Sequence, residues 1–268
     1  MTLAPGWPRP DRLYGGYIFD LDGTLYLGED ALPGARETVA FLRGAGARLA
    51  FVTNNPLRLP AQWAGKLRRL GFDVANEEVL SSTDVLISYL RRHHADASFF
   101  PIAEPPVIEL LVTAGFRLSA DPHETDVVVV SFDRGFTYDK LRLGFLAVAA
   151  GARIVATNPD PFCPTPNGGL PDCGAILAAL EVASGQQADA IVGKPSALMA
   201  ATALERLGSH PEDTLVVGDR LETDIRMARS AGLASALVLT GATRAAPSAA
   251  EPNGPDFVIG SLRELAVG

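Results

Sequence analysis

The sequence predicts an α/β protein built on an open parallel sheet, with a second α/β domain inserted in the chain. Apolar runs of strand length alternate with helical patterns near both ends of the sequence, which is the βαβ rhythm of a parallel sheet. These runs end in polar residues, as strands do at the ligand-binding edge of such sheets. A stretch of roughly a hundred residues with its own strands and helices separates the two series.

The first series predicts strands at 17–20 and 48–53, each followed by a helix, at 33–43 and 60–70. The strand runs are short and continuously apolar, which is typical of strands buried on both faces. Pro33 suits the first turn of the first helix, where its missing N–H costs nothing.

The second series predicts strands at 190–192, 215–217 and 236–239. We therefore assign residues 1–81 and 189–268 to a discontinuous core and residues 82–188 to the inserted domain. The strands and helices predicted within the insert lie at 126–132, 138–150, 153–156 and 174–184, while 158–174 is predicted to be a proline-rich loop and 245–255 a mobile loop.

Composition excludes several classes of function. The 268 residues carry a formal net charge of -8 with scattered basic residues, which argues against a nucleic-acid ligand. The two cysteines lack the spacing of a zinc or thioredoxin-like site, and a reducing, cytoplasmic location fits best. The prolines near the N-terminus do not resemble a secretory signal, and no apolar run approaches a membrane span.

The most informative segment is 20–24, Asp-Leu-Asp-Gly-Thr, directly after the first predicted strand. Gly23 permits a tight turn that aims backbone N–H groups at one point, and two acids flank it. This pattern suits Asp20 as a nucleophile for phosphorus, Asp22 as a proton donor and acceptor, and a divalent cation beside them. An ordinary Asx turn is the alternative for the isolated segment.

Two further strand ends carry groups that bind phosphate oxygens. Thr53, Asn54 and Asn55 follow the second strand, although a helix N-cap or loop-capping cluster explains them about as well on their own. Lys194 follows another strand, where the alternative is a surface lysine with a buried stem. The helix predicted to begin at Pro195 and Ser196 would point its positive N-terminus at the same anion.

Asp219 lies at the end of the strand at 215–217, and Asp224 lies in the first turn of the next helix. Hard oxygen ligands without neighbouring His or Cys suit Mg²⁺ rather than zinc. Favourable interaction with the helix dipole is a sufficient alternative for Asp224 alone. The four histidines do not converge and are predicted to be structural, and Cys173 is predicted to be a small packing residue.

In this order, the four segments closely resemble the motifs of the haloacid dehalogenase superfamily, whose members are mostly phosphatases. Residues 136–141 (FTYDKL), 156–160 (ATNPD) and 193–196 (GKPS) are similar to its type IIA capped subfamily of NagD-type, p-nitrophenyl, phosphoglycolate and pyridoxal phosphatases. The resemblance covers nearly the whole chain. It implies a Rossmann-like doubly wound parallel-sheet core, an inserted α/β cap domain, Mg²⁺ dependence and phosphomonoester hydrolysis.

The resemblance also implies roles for individual residues. Asp20 would form an aspartyl phosphate, while Asp22 would protonate the leaving oxygen and later activate water. Members that attack carbon lack this second acid. The metal would be held by the Asp20 carboxylate, the Asp22 carbonyl and Asp219, with Asp224 binding directly or through water. Thr53, Asn54 and Lys194 would hold the phosphoryl oxygens.

The inserted domain is expected to select the substrate. Asn158, Asp160, Asp172 and Cys173 are weak candidates for contacting the leaving group. Asp172 departs from the glycine of many cap sequences. The substrates implied are a nucleoside monophosphate, phosphoglycolate, glycerol phosphate, pyridoxal phosphate or a sugar phosphate.

Two other classes of function remain open from the sequence. A phosphoacceptor signalling module also places acids, Thr and Lys around Mg²⁺, although it needs neither an inserted domain nor a second acid. A ligand sensor that has lost catalysis is the other alternative. A homodimer formed through the inserted domain is compatible with the sequence.

Overall fold

The computed structural model describes residues 7–165, 168–248 and 253–265, so that 249–252 of the predicted loop at 245–255 lie outside the described residues. In chain order, the strands are β1 (Gly16–Asp20), β2 (Tyr26–Leu27), β3 (Asp30–Ala31), β4 (Arg48–Thr53), β5 (Val79–Ser81), β6 (Ser98–Ile102), β7 (Arg117–Leu118), β8 (Val127–Val130), β9 (Arg153–Ala156), β10 (Phe162–Thr165), β11 (Gly168–Pro171), β12 (Ala190–Ile191), β13 (Thr214–Gly218), β14 (Ala234–Val238) and β15 (Phe257–Ile259). The α-helices are α1 (Ala35–Gly44), α2 (Pro60–Arg69), α3 (Ser82–His93), α4 (Pro105–Thr113), α5 (Tyr138–Ala149), α6 (Cys173–Ser184), α7 (Ala197–Leu207) and α8 (Arg226–Ser230).

The chain divides into two compact units. The first comprises Met1–Thr53, Pro60–Leu80 and Lys194–Gly268, and the second comprises Asn54–Leu59 and Ser81–Gly193. The second unit therefore includes a short segment after β4 that the predicted insert at 82–188 does not contain. The assignment of these units as catalytic core and substrate-selecting cap stays a prediction.

The six-stranded sheet of the first unit has the order β15-β14-β13-β1-β4-β5. β1 pairs in parallel with β13 on one side and β4 on the other, with Phe19 opposite Val217 and Asp20 opposite Val52. Because these three strands run in the same direction and in register, the residues that follow them emerge at one edge of the sheet.

Both faces of this sheet are covered, as in a doubly wound fold. The buried faces of α1 and α2 pack with Phe19, Phe51 and Val217 on one side. Ile225 packs with Leu237 and Val258 in a separate buried cluster. Burial on both faces explains why the strands read as continuous apolar runs, and the predicted α/β class is confirmed.

The second unit contains a five-stranded parallel sheet with the order β12-β9-β8-β6-β7. Its main core combines side chains of the central strands with the buried faces of α5 and α6. Its all-parallel sheet, flanked by helices, gives this unit an α/β architecture of its own.

Two local predictions were wrong. The proline-rich stretch at 158–174 is not only a loop, because β10 and β11 form an antiparallel hairpin, in which a short two-stranded ribbon tolerates prolines. Pro33 precedes α1, since Gly34 takes a left-handed conformation (φ 85°) as its N-cap. The predicted place of Asp224 in the first turn of the helix after β13 is confirmed, and that helix begins with a π-helical turn, Leu221–Ile225.

None of the helices in the described parts of the chain has the length and apolar character needed to cross a membrane.

Candidate active site

The turn after β1 holds Asp20 at the sheet edge. Tyr17, Ile18 and Phe19 are buried, and Asp20 is the first residue of the strand to reach partial exposure. Gly23 has φ 92°, and its N–H donates to the Tyr26 carbonyl at 2.8 Å. A Cβ at this position would overlap the Asp219 carboxylate and lie 3.0 Å from the Cα of Gly241. The turn therefore requires glycine for both its conformation and its space.

Lys194 joins two of the predicted acids. It is 3% exposed, and its Nζ forms ion pairs with Asp20 Oδ1 and, at 2.7 Å, with Asp224 Oδ1. The second oxygen of Asp20 accepts a hydrogen bond from Thr24 Oγ1 at 3.2 Å. The second oxygen of Asp224 accepts from the Arg220 N–H at 3.2 Å. Each carboxylate is thereby fixed in orientation by two contacts.

Asp219 is held by a loop, 240–242, that none of the four predicted motifs includes. Its Oδ2 accepts a hydrogen bond from the Ala242 N–H, and the loop is tied to the first turn by Thr240 Oγ1, which donates to the Gly23 carbonyl at 2.7 Å. This loop could have been predicted from Thr240 and Gly241, which directly follow a buried strand. The other strand ends of the site show the same pattern.

Asp20, Asp219 and Asp224 form a compact acidic group. One carboxylate oxygen from each lies within 4.8 Å of the others. Burial, opposed by Lys194 and reinforced by the other two acids, raises the pKa of Asp20 to about 8. Burial and the Asp224 charge raise the pKa of Asp219 to about 6, although the hydrogen bond from Ala242 lowers it. Three carboxylates facing one lysine form an oxygen donor set that fits a divalent cation.

Asp22 differs from these three acids because its side chain is exposed. The pKa of its carboxyl is raised because neighbouring protein atoms exclude part of its hydration shell. The positive charges of Lys66 and Arg220 lower this pKa but do not cancel the increase. Its backbone forms a bridge with Tyr26, which closes the turn after β1. An exposed carboxyl with a raised pKa is suited to exchanging protons at a reaction centre.

The second motif is divided between the two units. Thr53 ends β4 beside β1 and is buried in the first unit, whereas Asn54 and Asn55 belong to the second unit. The Asn54 amide donates to Asp160 Oδ2 at 2.9 Å, and Asn158 Nδ2 donates to the Asn54 carbonyl at 3.3 Å. The structure therefore groups three predicted site residues within the second unit.

Asn55 and the remaining candidates have local partners. Asn55 Oδ1 accepts from the Leu57 N–H at 3.0 Å. Asp172 caps α6 by accepting from the Cys173 N–H at 2.6 Å. Cys173 is fully buried, its Sγ donates to the Val130 carbonyl at 3.3 Å, and burial raises the pKa of its thiol to about 12. A role for Asp172 and Cys173 in substrate selection stays a prediction.

Family models match both ends of the chain. The model of the haloacid dehalogenase-like hydrolase family matches residues 17–117, and a related HAD-hydrolase-like model matches residues 191–265. The sugar phosphatase AraL of Bacillus subtilis is 32% identical over 250 residues, covering 93% of this chain and 91% of that protein. The 5'-nucleotidase YutF of the same species is 35% identical over 253 residues, covering 94% and 98%.

Among solved structures, the p-nitrophenyl phosphatase of Archaeoglobus fulgidus superimposes with a TM-score of 0.88 at 31% identity, covering 95% of this chain and 99% of that one. A putative NagD protein superimposes with a TM-score of 0.85 at 31% identity, covering 95% and 98%. From its motifs, its fold and these relatives, the chain belongs to the haloacid dehalogenase-like hydrolases, as a type IIA phosphatase acting on phosphomonoesters.

Proposed function

We propose that this phosphatase hydrolyses a small phosphomonoester in a Mg²⁺-dependent reaction that passes through an aspartyl phosphate on Asp20. The observation that carries the proposal is the buried group of Asp20, Asp219 and Asp224 around Lys194 at the edge of the sheet. Clustering three acids in a buried site is unfavourable unless cations balance them, and one lysine balances only part of their charge.

The carboxylates of Asp20, Asp219 and Asp224 would hold the Mg²⁺, with the backbone carbonyl of Asp22 as a further ligand implied by the family. The donor set fits because it consists of oxygens and includes no thiol or imidazole. When bound, the ion supplies positive charge that stabilises the phosphoryl oxygens and keeps Asp20 ionised at neutral pH.

In the first step, a carboxylate oxygen of Asp20 attacks phosphorus while the bond from phosphorus to the leaving oxygen breaks. Asp22 donates its proton to that oxygen, so the alcohol leaves neutral. In the second step, Asp22 accepts a proton from water, whose oxygen attacks phosphorus. The bond to Asp20 breaks, which releases inorganic phosphate and restores both carboxyl groups. The exposure and raised pKa of Asp22 support this role.

Phosphate binding is proposed for Thr53, Asn54 and Asn55, and for Lys194. Gly23, whose own N–H donates to the Tyr26 carbonyl, is proposed to contribute the tight turn that gives the phosphate access. Phosphoryl transfer depends mainly on positioning and on stabilising charge, which hydroxyl, amide and ammonium donors provide. Lys194 is held in place by its ion pairs, so its charge needs little reorganisation when a phosphate arrives.

For the substrate, we propose a sugar phosphate or a nucleoside monophosphate. The support is that one similar protein is named as a sugar phosphatase and another as a 5'-nucleotidase. Phosphoglycolate, glycerol phosphate and pyridoxal phosphate complete a panel whose kcat/KM values would identify the preferred leaving group. Replacing the β10–β11 hairpin by that of a relative should change this ranking, and an unchanged ranking would remove the hairpin from substrate selection.

The mechanism is tested with p-nitrophenyl phosphate. We expect turnover with Mg²⁺, loss of turnover in excess chelator, and loss of at least about a thousandfold in Asp20→Asn, which cannot form the covalent intermediate. Acid quenching during turnover should trap phosphate on wild-type protein but not on the variant. Substantial activity in Asp20→Asn, or in metal-free protein, would refute the mechanism. A trapped phosphate that persists without turnover would instead support a phosphoacceptor module.

A homodimer and a cytoplasmic location are also proposals. Light scattering of the purified chain tests the first, and fractionation of cells that express it tests the second.

A further inference from the structure

Lys66 is a buried cation to which the proposed mechanism assigns no phosphate or metal contact. It lies on the inward face of α2 with Trp63 and Leu67, and it is 5% exposed. An ammonium group loses most of its hydration at such a position, so its side chain must have compensating partners. The partners described for it lead to the turn that carries Asp22.

One partner of Lys66 is a buried aromatic ring. Lys66 Nζ lies 3.9 Å from the ring centroid of Tyr26, within the range of a cation–π interaction, and 5.9 Å from that of Trp63. Its ion pair with Glu29 spans 3.5 Å, but the Glu29 side chain is 74% exposed. Water screens an exposed carboxylate, so the Tyr26 ring is the more important partner.

Tyr26 connects this contact to the turn after β1. Its side chain is fully buried, so a shift of the ring would also move the atoms packed around it. Its carbonyl accepts the hydrogen bond of the Gly23 N–H, and its backbone forms the bridge with Asp22. The position of Tyr26 therefore determines where Asp22 and the N–H groups around Gly23 point.

We propose that Lys66 is a positioning residue for catalysis, which clamps the Tyr26 ring and thereby holds the turn that presents Asp22. The proposal rests on the proposed proton-transfer role of Asp22. Helix α2 supplies no predicted site residue, and the proposal gives it an indirect role in catalysis. Since Lys66 acts on the turn and not on the phosphate, its loss should slow turnover without weakening phosphate binding.

The test compares Lys66→Met, Lys66→Arg and Glu29→Gln in the full chain with Mg²⁺ and p-nitrophenyl phosphate. In Lys66→Met, which keeps most of the side-chain volume, we expect kcat to fall about ten- to a hundredfold because the turn is misplaced. KM and the inhibition constant of inorganic phosphate should stay within about twofold of wild type. Lys66→Arg should recover most of kcat, since a guanidinium also stacks on aromatic rings.

Glu29→Gln is the matched control, because it removes the exposed ion pair and leaves the ring contact intact; its kcat should equal that of wild type. The proposal is overturned if Lys66→Met keeps wild-type kcat, if Lys66→Arg is as slow as Lys66→Met, or if phosphate inhibition weakens in parallel with kcat. Should Lys66→Met fail to fold, Tyr26→Phe and Tyr26→Leu replace it. The ring-retaining Phe variant should keep kcat and the Leu variant should lose it, and equal kcat in both would overturn the proposal.

The outcome is separable from that of the proposed mechanism. An active Asp20→Asn variant refutes the mechanism whatever Lys66 does, whereas an inactive Asp20→Asn beside a fully active Lys66→Met refutes the positioning role alone.

Discussion

Asp219→Asn should stabilise the metal-free protein while removing its response to Mg²⁺. The carboxyl is 3% exposed and close to two other acids, and its pKa rises from 3.8 to about 6. Because a tenfold change in ionisation corresponds to about 1.4 kcal/mol, this difference corresponds to about 3 kcal/mol of unfavourable free energy for the ionised folded state. Asparagine has no charge and keeps an oxygen for the Ala242 N–H.

The sign of the effect depends on pH. A carboxyl whose pKa is higher in the folded than in the unfolded chain binds more protons when folded. Its stabilising contribution is complete below pH 3.8 and is lost as the pH rises through about 6. The metal-free variant should therefore have about the same unfolding free energy as wild type near pH 3.8. At about pH 8 its unfolding free energy should exceed that of wild type by up to about 3 kcal/mol, which corresponds to a Tm higher by about 6 to 12 °C.

Thermal and urea denaturation are followed by circular dichroism. Excess chelator gives the stability of the metal-free protein, and saturating Mg²⁺ gives the stabilisation by the ion. Wild type should gain stability from Mg²⁺, since a ligand that binds only the folded state stabilises it, and the variant should gain little. Asp73→Asn, at an exposed position in the same unit, is the control and should change neither value. The reasoning is refuted if the metal-free variant is no more stable than wild type at about pH 8, or if its Mg²⁺ response is intact.

Three further predictions follow from the same contacts. Lys194→Met leaves two buried carboxylates without their shared counter-charge and should cost about 3–5 kcal/mol of unfolding free energy in metal-free protein at neutral pH, with loss of turnover. Gly23→Ala should cost about 1–3 kcal/mol and lower kcat, because φ is 92° and the added methyl group overlaps Asp219. Iodoacetamide at neutral pH should modify the partly exposed Cys163 and spare Cys173, whose thiol is buried with a pKa of about 12, as peptide mass spectrometry will show.

Each of these has a clear contrary result. Wild-type unfolding free energy in Lys194→Met would mean that the acids do not depend on the lysine. Gly28→Ala is the comparison for Gly23→Ala, because it has positive φ but open space around it; equal activity losses in the two variants would exclude the overlap as the cause. Rapid alkylation of Cys173 in folded protein would contradict its burial.

The sequence was most informative where a buried strand ends in a polar side chain. Asp20, Thr53 and Asp219 each stand at such an end, so parallel pairing alone predicts that they share one edge. The donor to Asp219 was not predictable in this way, because Ala242 contributes a backbone N–H that leaves no mark in the sequence. Nor was the position of Lys66, since its burial depends on a tertiary contact between α2 and the turn after β1.

Elements of the inserted region were harder to predict for other reasons. Two prolines open α4, where they are tolerated in the first turn but resemble a loop in the sequence. Prolines in β10 and β11 likewise made these strands resemble a loop in the sequence. The roles of the site residues stay predictions that the variants described above test, and the roles of the two units as catalytic core and cap stay predictions as well.

The central position of β1 has a consequence for the synthesis of this protein. One neighbour of β1 in the sheet is made soon after it, but the other, β13, follows about 200 residues later, or about 10 to 40 s at ordinary rates of translation. During that interval one edge of β1 has no native partner; Lys194 is made only near its end, and Asp219 only after it. All of the second unit precedes Lys194 in the chain, so this unit leaves the ribosome, and can fold, before the C-terminal part of the first unit.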